Sequence, residues 1–246
     1  MQGRRAAPSF GDVTNPFATA LVRDGFAFAP AAPMRAALES HGLDGWDAFA
    51  RSWNDLAVDA HMADGGRYRR RRHAALRVTP DAIVALPPAP HYQSRDHNRL
   101  NGGIERWFEP IRPDVVGSAA MRAVLRFCHD LFGGLSPDRA AWHVELHQFR
   151  IEAGPDAPGQ PTPEGAHRDG VDWVIVLLVD RVNIASGVTS IADPAGASLG
   201  SFTLAKPFDA ALVDDRRVLH GVTAVEPLDP GRPAHRDVLV ATFRRD

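Results

Sequence analysis

The chain has 246 residues, 44% hydrophobic and 24% charged, with a formal net charge of −2. That is the composition of a globular protein with a core, and it excludes a disordered chain or a disulfide-dense miniprotein. The charge excludes a surface that grips nucleic acid through many phosphates, and no apolar run approaches the ~18 residues of a membrane-spanning helix. The lone cysteine, Cys128, excludes an internal disulfide and a thiolate-rich metal site, so any metal must be held by His, Asp or Glu. Arg4-Arg5 is followed by no hydrophobic region, and a cytoplasmic protein is expected.

In chain order, Thr14 or Asn15 can cap a helix with Pro16 in its first turn and a stop at Gly25. A short strand, Phe26 to Phe28, follows. Apolar residues at three- and four-residue steps, Trp46, Phe49, Trp53, Leu56 and Ala60 among them, predict an amphipathic helix from Asp44 to Met62, with Trp46 and Trp53 in the core. The arginines at 67 and 69–72, around Tyr68, read as a solvated, salt-bridged face opposite nearby Asp residues, with a phosphate- or nucleic-acid-binding patch as the alternative. A polar stretch from Pro87 to Gly103 leads to a second helix, capped at Asp114, passing Ala120, Val124 and Phe127, and ending at Gly133-Gly134.

The period then changes. His143 to Ile151, Trp173 to Asp180, Thr189 to Ala192, Phe202 to Leu204, Ala211 to Asp214, Val218 to Val225 and Val238 to Phe243 are short and rich in Val, Ile, Thr and Phe. Their spacing leaves no room for crossover helices, so the sheet is antiparallel and closes as a sandwich or barrel. An α+β chain with a mainly β core is expected, as one domain over residues 1–246. Residues 1–135 form its helical buttress and substrate-side loops, and 136–246 its β core.

His167-Arg168-Asp169 stands just before the apolar strand Trp173 to Val179, and His220 opens a later strand. Side chains two residues apart share a face in extended chain, and two His with one carboxylate are the facial triad of non-haem Fe(II) oxygenases. The tripeptide alone is weak, because His235-Arg236-Asp237 repeats it, and turn hydrogen bonding is the plain alternative for His167 and Asp169. His143 and His147 share a strand parity that can face a barrel interior, His143 as a packed or hydrogen-bonded core residue.

With their neighbours, Leu146-His147-Gln148-Phe149-Arg150, His167-Arg168-Asp169, Leu219-His220-Gly221-Val222-Thr223 and Arg236-Asp237-Val238-Leu239-Val240-Ala241-Thr242-Phe243 are similar to a known pattern; Asn101-Gly102-Gly103-Ile104-Glu105-Arg106-Trp107-Phe108 is a weaker match. The chain resembles the 2-oxoglutarate/Fe(II) dioxygenase family that includes bacterial L-isoleucine 4-hydroxylase and related free amino acid hydroxylases. The resemblance implies a double-stranded β-helix, a cupin-like jelly-roll barrel, with Fe(II) held by His167, Asp169 and His220. It implies 2-oxoglutarate as cosubstrate, its distal carboxylate on Arg236, and O2 as oxidant. It also implies hydroxylation of an aliphatic C–H of an L-amino acid or a similar small molecule, with release of succinate and CO2. A zwitterionic substrate needs a cation and an acceptor, for which Arg106, His147, Gln148 and Arg150 are candidates, with a surface salt bridge as the plain alternative for each arginine. Gly170 stands where the isoleucine hydroxylase has a second acid, Ala185-Ser186-Gly187 replaces a Gly-Gly turn, and the loops 95–103 and 152–165 differ, so isoleucine itself does not carry over. The other readings are a jelly roll that binds without catalysis or with another metal, and a serine hydrolase on Gly196-Ala197-Ser198-Leu199-Gly200 with Asp214 or Asp215 and His220. The second needs a strand–turn–helix around Ser198, where a hairpin turn is expected.

Overall fold

A computed structural model describes residues 15–96, 100, 102–136, 141–155 and 157–246. The Arg4-Arg5 pair, the Thr14 cap and Asn101 lie outside them. Helix α1, Pro16–Asp24, begins as its sequence dictates: the Asn15 side chain accepts from the Phe17 and Ala18 N–H groups, Pro16 fills the first turn, and Gly25 ends the helix at φ 81°. Strand β1, Phe26–Ala29, follows, then α2, Ala31–Ser40, which buries Met34 and Leu38 one turn apart and was not expected.

Helix α3, Trp46–Arg51, continues only as a 3-10 turn, Ser52–Asp55. The helix expected as far as Met62 therefore stops early. Leu56 turns extended, Val58 bridges to Arg70, and the Asp59 N–H donates to the Arg69 carbonyl at 2.9 Å. Pairing with β2, Arg69–Val78, overrides helical periodicity there. Next come β3, Ile83–Ala85, β4, His91–Tyr92, and β5, Glu105–Arg106. The helix expected from Asp114 is two, α4, Pro113–Val116, and α5, Ala119–Gly134; Ser118 breaks them and caps the second by accepting from the Met121 N–H.

The remaining strands are β6, Trp142–Ala153, β7, Trp173–Val182, β8, Ile184–Ser186, β9, Val188–Ala192, β10, Ser198–Thr203, β11, Ala210–Asp214, β12, Leu219–Val222, β13, Val225–Pro227, and β14, Ala234–Arg245. A seven-stranded sheet has the order β1-β11-β7-β14-β6-β2-β3, and smaller sheets join β10-β9-β12 and β13-β8. Their pairings are antiparallel, and together they make the expected jelly roll.

Three strands of the large sheet precede residue 136, so the division into a helical first part and a β second part is corrected. β2 escaped notice because its inward residues are charged. Arg69, Arg71 and His73 face a polar interior while Leu76 and Val78 pack in the core under the helices. The same alternation sorts β7, where Trp173, Ile175 and Leu177 pack with Phe17, Met34, Trp53 and Phe132, and Val174 packs inward with Ile191 of the small sheet. Among the described residues no helix is long and apolar enough to cross a membrane.

Candidate active site

A cavity of about 360 Å3 opens on the inner face of the large sheet. Strand parity decides what lines it. Along β6, His143, Glu145, His147 and Phe149 face the cavity, whereas Val144 and Leu146 join the core under the helices.

Two segments cross at one wall. His167 and His220 exchange backbone hydrogen bonds of 3.0 and 2.9 Å, which sets their rings side by side with centroids 4.7 Å apart. Gly221 permits the approach, since a Cβ there would stand 3.0 Å from the Ala166 Cα. Asp169 completes the group, with Oδ1 3.4 Å from His167 Nε2 and Oδ2 3.6 Å from His220 Nε2. One ligand atom from each of the three lies within 4.8 Å of the others.

The surroundings hold these atoms. The buried Asp215 carboxylate accepts from the N–H groups of Asp169, Gly170 and Val171 at 2.9, 2.8 and 3.0 Å, fixing a turn in which Gly170 has φ 82°. His167 Nδ1 lies 3.0 Å from the Gly165 carbonyl, leaving Nε2 toward Asp169. Gln93 donates to Asp169 Oδ1 at 3.3 Å. Burial alone would lower the His167 imidazole, but Asp169 and Glu164 outweigh it and lift it to about 9. Burial and the charge on His167 lower His220 to about 4, against Asp169. Burial would raise Asp169, yet its hydrogen bond to His167 and the charge on His220 hold it below the ordinary carboxylate range. Burial and the Asp169 charge push Asp215 up to about 6, in spite of its three N–H donors.

Arg236 projects from β14 into the same cavity. It is 2% exposed, and its Nε and one terminal nitrogen are buried with no hydrogen-bond partner. Burial, with Arg181 nearby, draws its guanidinium down to about 10. An anion at this point would supply the missing acceptors. Two imidazoles and a carboxylate are a donor set for Fe(II), and a partnerless guanidinium in the same cavity suits the far end of a dicarboxylate. The residues fit both iron and 2-oxoglutarate.

The model of one family, the 2OG-Fe dioxygenases, matches residues 50–242. The chain is a 2OG-Fe dioxygenase. As a member of that family it uses Fe(II), 2-oxoglutarate and O2. The dioxygenase is 24% identical over 243 residues to 3(1)-hydroxy-L-isoleucine 4-dioxygenase of Pantoea ananatis, covering 94% of this chain and 96% of that one. It is 26% identical over 155 residues to L-isoleucine-4-hydroxylase of Bacillus thuringiensis, covering 62% and 64%. Among solved structures it is similar to a bsmA homologue of Methylobium petroleophilum, with a TM-score of 0.82 and 36% identity over 93% of this chain and 92% of that one.

Of the residues singled out in the sequence, His167, Asp169, His220, Arg236, Arg106 and His147 meet in the cavity of this dioxygenase. Gln148 and Arg150 do not, and their assignment to substrate is corrected. Both have the other parity of β6: Gln148 donates to the Ser52 hydroxyl at 2.8 Å, and Arg150 makes two bonds to Asp237, of 2.7 and 2.6 Å. The reading of the arginine run is corrected in part. Arg70 and Arg72 reach acids near the surface, but Arg69 and Arg71 are buried beside Asp59. His143 lines the cavity and is not a core residue. Ser198 opens the exposed start of β10 after a turn, with no helix behind it, so the hydrolase reading falls.

Sequence reasoning missed Glu145, His91, Gln93 and the role of Asp215. Glu145 was within reach, because it lies between His143 and His147 with the same parity. His91 and Gln93 carried no signal, since they sit at a two-residue strand inside a polar stretch.

Proposed function

We propose that the protein is a cytoplasmic enzyme that hydroxylates an aliphatic C–H bond of an L-amino acid, with His167, Asp169 and His220 as the iron ligands. Arg236 binds the distal carboxylate of 2-oxoglutarate through parallel hydrogen bonds, which a planar guanidinium buried without a partner is suited to form. The iron and its cosubstrate supply the oxidising power, so that O2 and 2-oxoglutarate leave as succinate and CO2 with one oxygen atom added to the substrate. The protein contributes position and the exclusion of water. His147 and the hairpin of β4 and β5 wall the cavity, and Arg106, 2% exposed with its Nε partnerless, takes the substrate carboxylate.

One observation carries this reading: the His167–Asp169–His220 group shares a single cavity with Arg236 and Arg106, each of which buries unpaired guanidinium nitrogen and, unlike Arg69 and Arg71, has no ion-pair contact with a carboxylate among the described residues. Two carboxylates are thereby called for, one from the cosubstrate and one from the substrate. Two relatives named for activity on 3(1)-hydroxy-L-isoleucine and on L-isoleucine support an amino acid as the second. A mass-spectrometric screen of L-amino acids with Fe(II), 2-oxoglutarate and O2 tests it. The expected outcome is a product heavier by one oxygen atom, formed in step with succinate. Succinate formation that no amino acid stimulates, with no oxygen gained across the screen, would refute the assignment.

A further inference from the structure

Beside the iron triad, the same cavity holds a second polar group. Glu145 on β6 is surrounded by imidazoles: His91 Nδ1 lies 2.5 Å from its Oε2, His73 Nε2 3.4 Å, and His147 Nε2 3.9 Å. Its other oxygen, Oε1, has His143 Nε2 at 3.7 Å as its nearest ion-pair contact. Among the described residues, all the ion-pair contacts of Glu145 within 4.0 Å are histidines, and no guanidinium is among them. Arg69 and Arg71, the nearby buried cations, share Asp59 instead.

This is an unusual provision for a buried carboxylate. Burial would raise its pKa, yet the bonds from His143, His73 and His91 hold it far below the ordinary range. Burial lowers the His91 and His147 imidazoles at the same time, His91 in spite of the hydrogen bond it donates to Glu145 and His147 with Arg71 adding to the effect. Glu145 is thus a buried, cavity-lining anion held by imidazoles, three of them on Oε2 and His143 on Oε1, while the guanidiniums of Arg71 and Arg106 act on it only from beyond 4.0 Å. A buried charge in that state favours an external cation.

Two kinds of cation have the right charge, a divalent metal and an ammonium group. The cluster of His73, His91, Glu145 and His147 brings its ligand atoms within 4.8 Å of one another. His147 decides against the metal. Arg71 donates to His147 Nδ1 at 2.7 Å, so the ring proton sits on Nε2, the atom that a metal would need bare. A metal on Nε2 would move that proton to Nδ1, against the Arg71 donor.

The geometry points to Glu145 Oε1 as the acceptor for the α-ammonium group of the amino-acid substrate. The inference rests on the amino-acid reading above and names the residue that enforces it. Arg106 pairs in register with His91 across the β4–β5 hairpin, which places carboxylate and ammonium recognition on adjoining elements. Gln93, two residues beyond His91, reaches Asp169, so the same hairpin ties substrate recognition to the iron triad.

The test is anaerobic calorimetric titration of the protein loaded with Fe(II) and 2-oxoglutarate. L-Isoleucine, L-leucine and L-norleucine are compared with their deaminated acids, in wild type, Glu145→Gln and Glu145→Asp. Wild type is expected to prefer the amino acids at least about tenfold, a difference of about 1.4 kcal/mol. Glu145→Gln should reduce the preference to within about twofold, and Glu145→Asp should retain part of it, in line with a lost ion pair. Thermal midpoints close to wild type establish that the variants are folded. An undiminished preference in Glu145→Gln, or none in wild type, would overturn the inference. So would a second equivalent of bound metal that Glu145→Gln abolishes. If the preference behaves as expected but no amino acid gains oxygen, the ammonium site stands and the hydroxylation reading fails.

Discussion

Arg236 and Asp59 are both buried and charged, and they behave oppositely because one lacks a partner and the other has two. Arg236 is stabilised only when an anion arrives, so Arg236→Ala is expected to raise the KM for 2-oxoglutarate about a hundredfold, or about 3 kcal/mol, with little loss of stability. Unchanged KM would place the cosubstrate elsewhere. Asp59 lies 2.7 Å from Arg69 and 3.7 Å from Arg71 and accepts the His61 N–H at 2.9 Å. Burial alone would raise its carboxyl, but the two guanidiniums outweigh burial and hold it below the ordinary range. A folded pKa below the unfolded one stabilises the protein above the unfolded value, about 3.9, and that stability is lost as pH falls through the folded value. Urea unfolding at pH 7 and pH 3 should therefore show a smaller loss on acidification in Asp59→Asn than in wild type, with the variant already weaker at pH 7 by about 3–5 kcal/mol. Equal losses would remove Asp59 from the acid response.

At the scale of elements, what was legible in the sequence followed periodicity, and what was hidden followed long-range pairing. α1 could be read from Asn15, Pro16 and Gly25 because caps are local. The strands β6, β7 and β14 stood out because their apolar alternation faces a helical layer. β2 did not, since its cavity face is Arg69, Arg71 and His73, and only pairing with β6 reveals it as a strand. The candidate iron ligands were found as two strand-associated motifs, but the Asp215 turn that holds Asp169 joins residues 46 apart and leaves no local trace. Gln148 and Arg150 were misplaced for the converse reason: the motif was right, and the parity within it was not applied. The crossing at Gly221 gives a prediction of the same scale. Gly221→Ala should force the two histidine-bearing segments apart, destabilising the fold by about 1–3 kcal/mol and weakening iron binding, as read by thermal unfolding and metal titration. A variant with wild-type stability and iron affinity would show that the close approach is dispensable.

Across the whole molecule, helices and large sheet share one core. Phe17, Met34, Trp53 and Phe132 from the helical segments pack with Leu146, Ile175, Leu212 and Phe243 of the sheet. We propose on this ground that the chain is a single domain, and a single cooperative transition is expected when far-ultraviolet dichroism and tryptophan fluorescence are followed through urea. Separate midpoints would indicate that the helical layer unfolds by itself. The layer backs the outer face of the sheet whose inner face carries Arg236, Glu145 and the cavity, so the site stands on strands packed against the core. The central claim, that His167, Asp169 and His220 hold the iron to which 2-oxoglutarate binds, is tested most directly by anaerobic addition of Fe(II) and then 2-oxoglutarate. Wild type should develop the weak visible absorption of the chelate and Asp169→Ala should not; a band of equal strength in that variant would contradict the account.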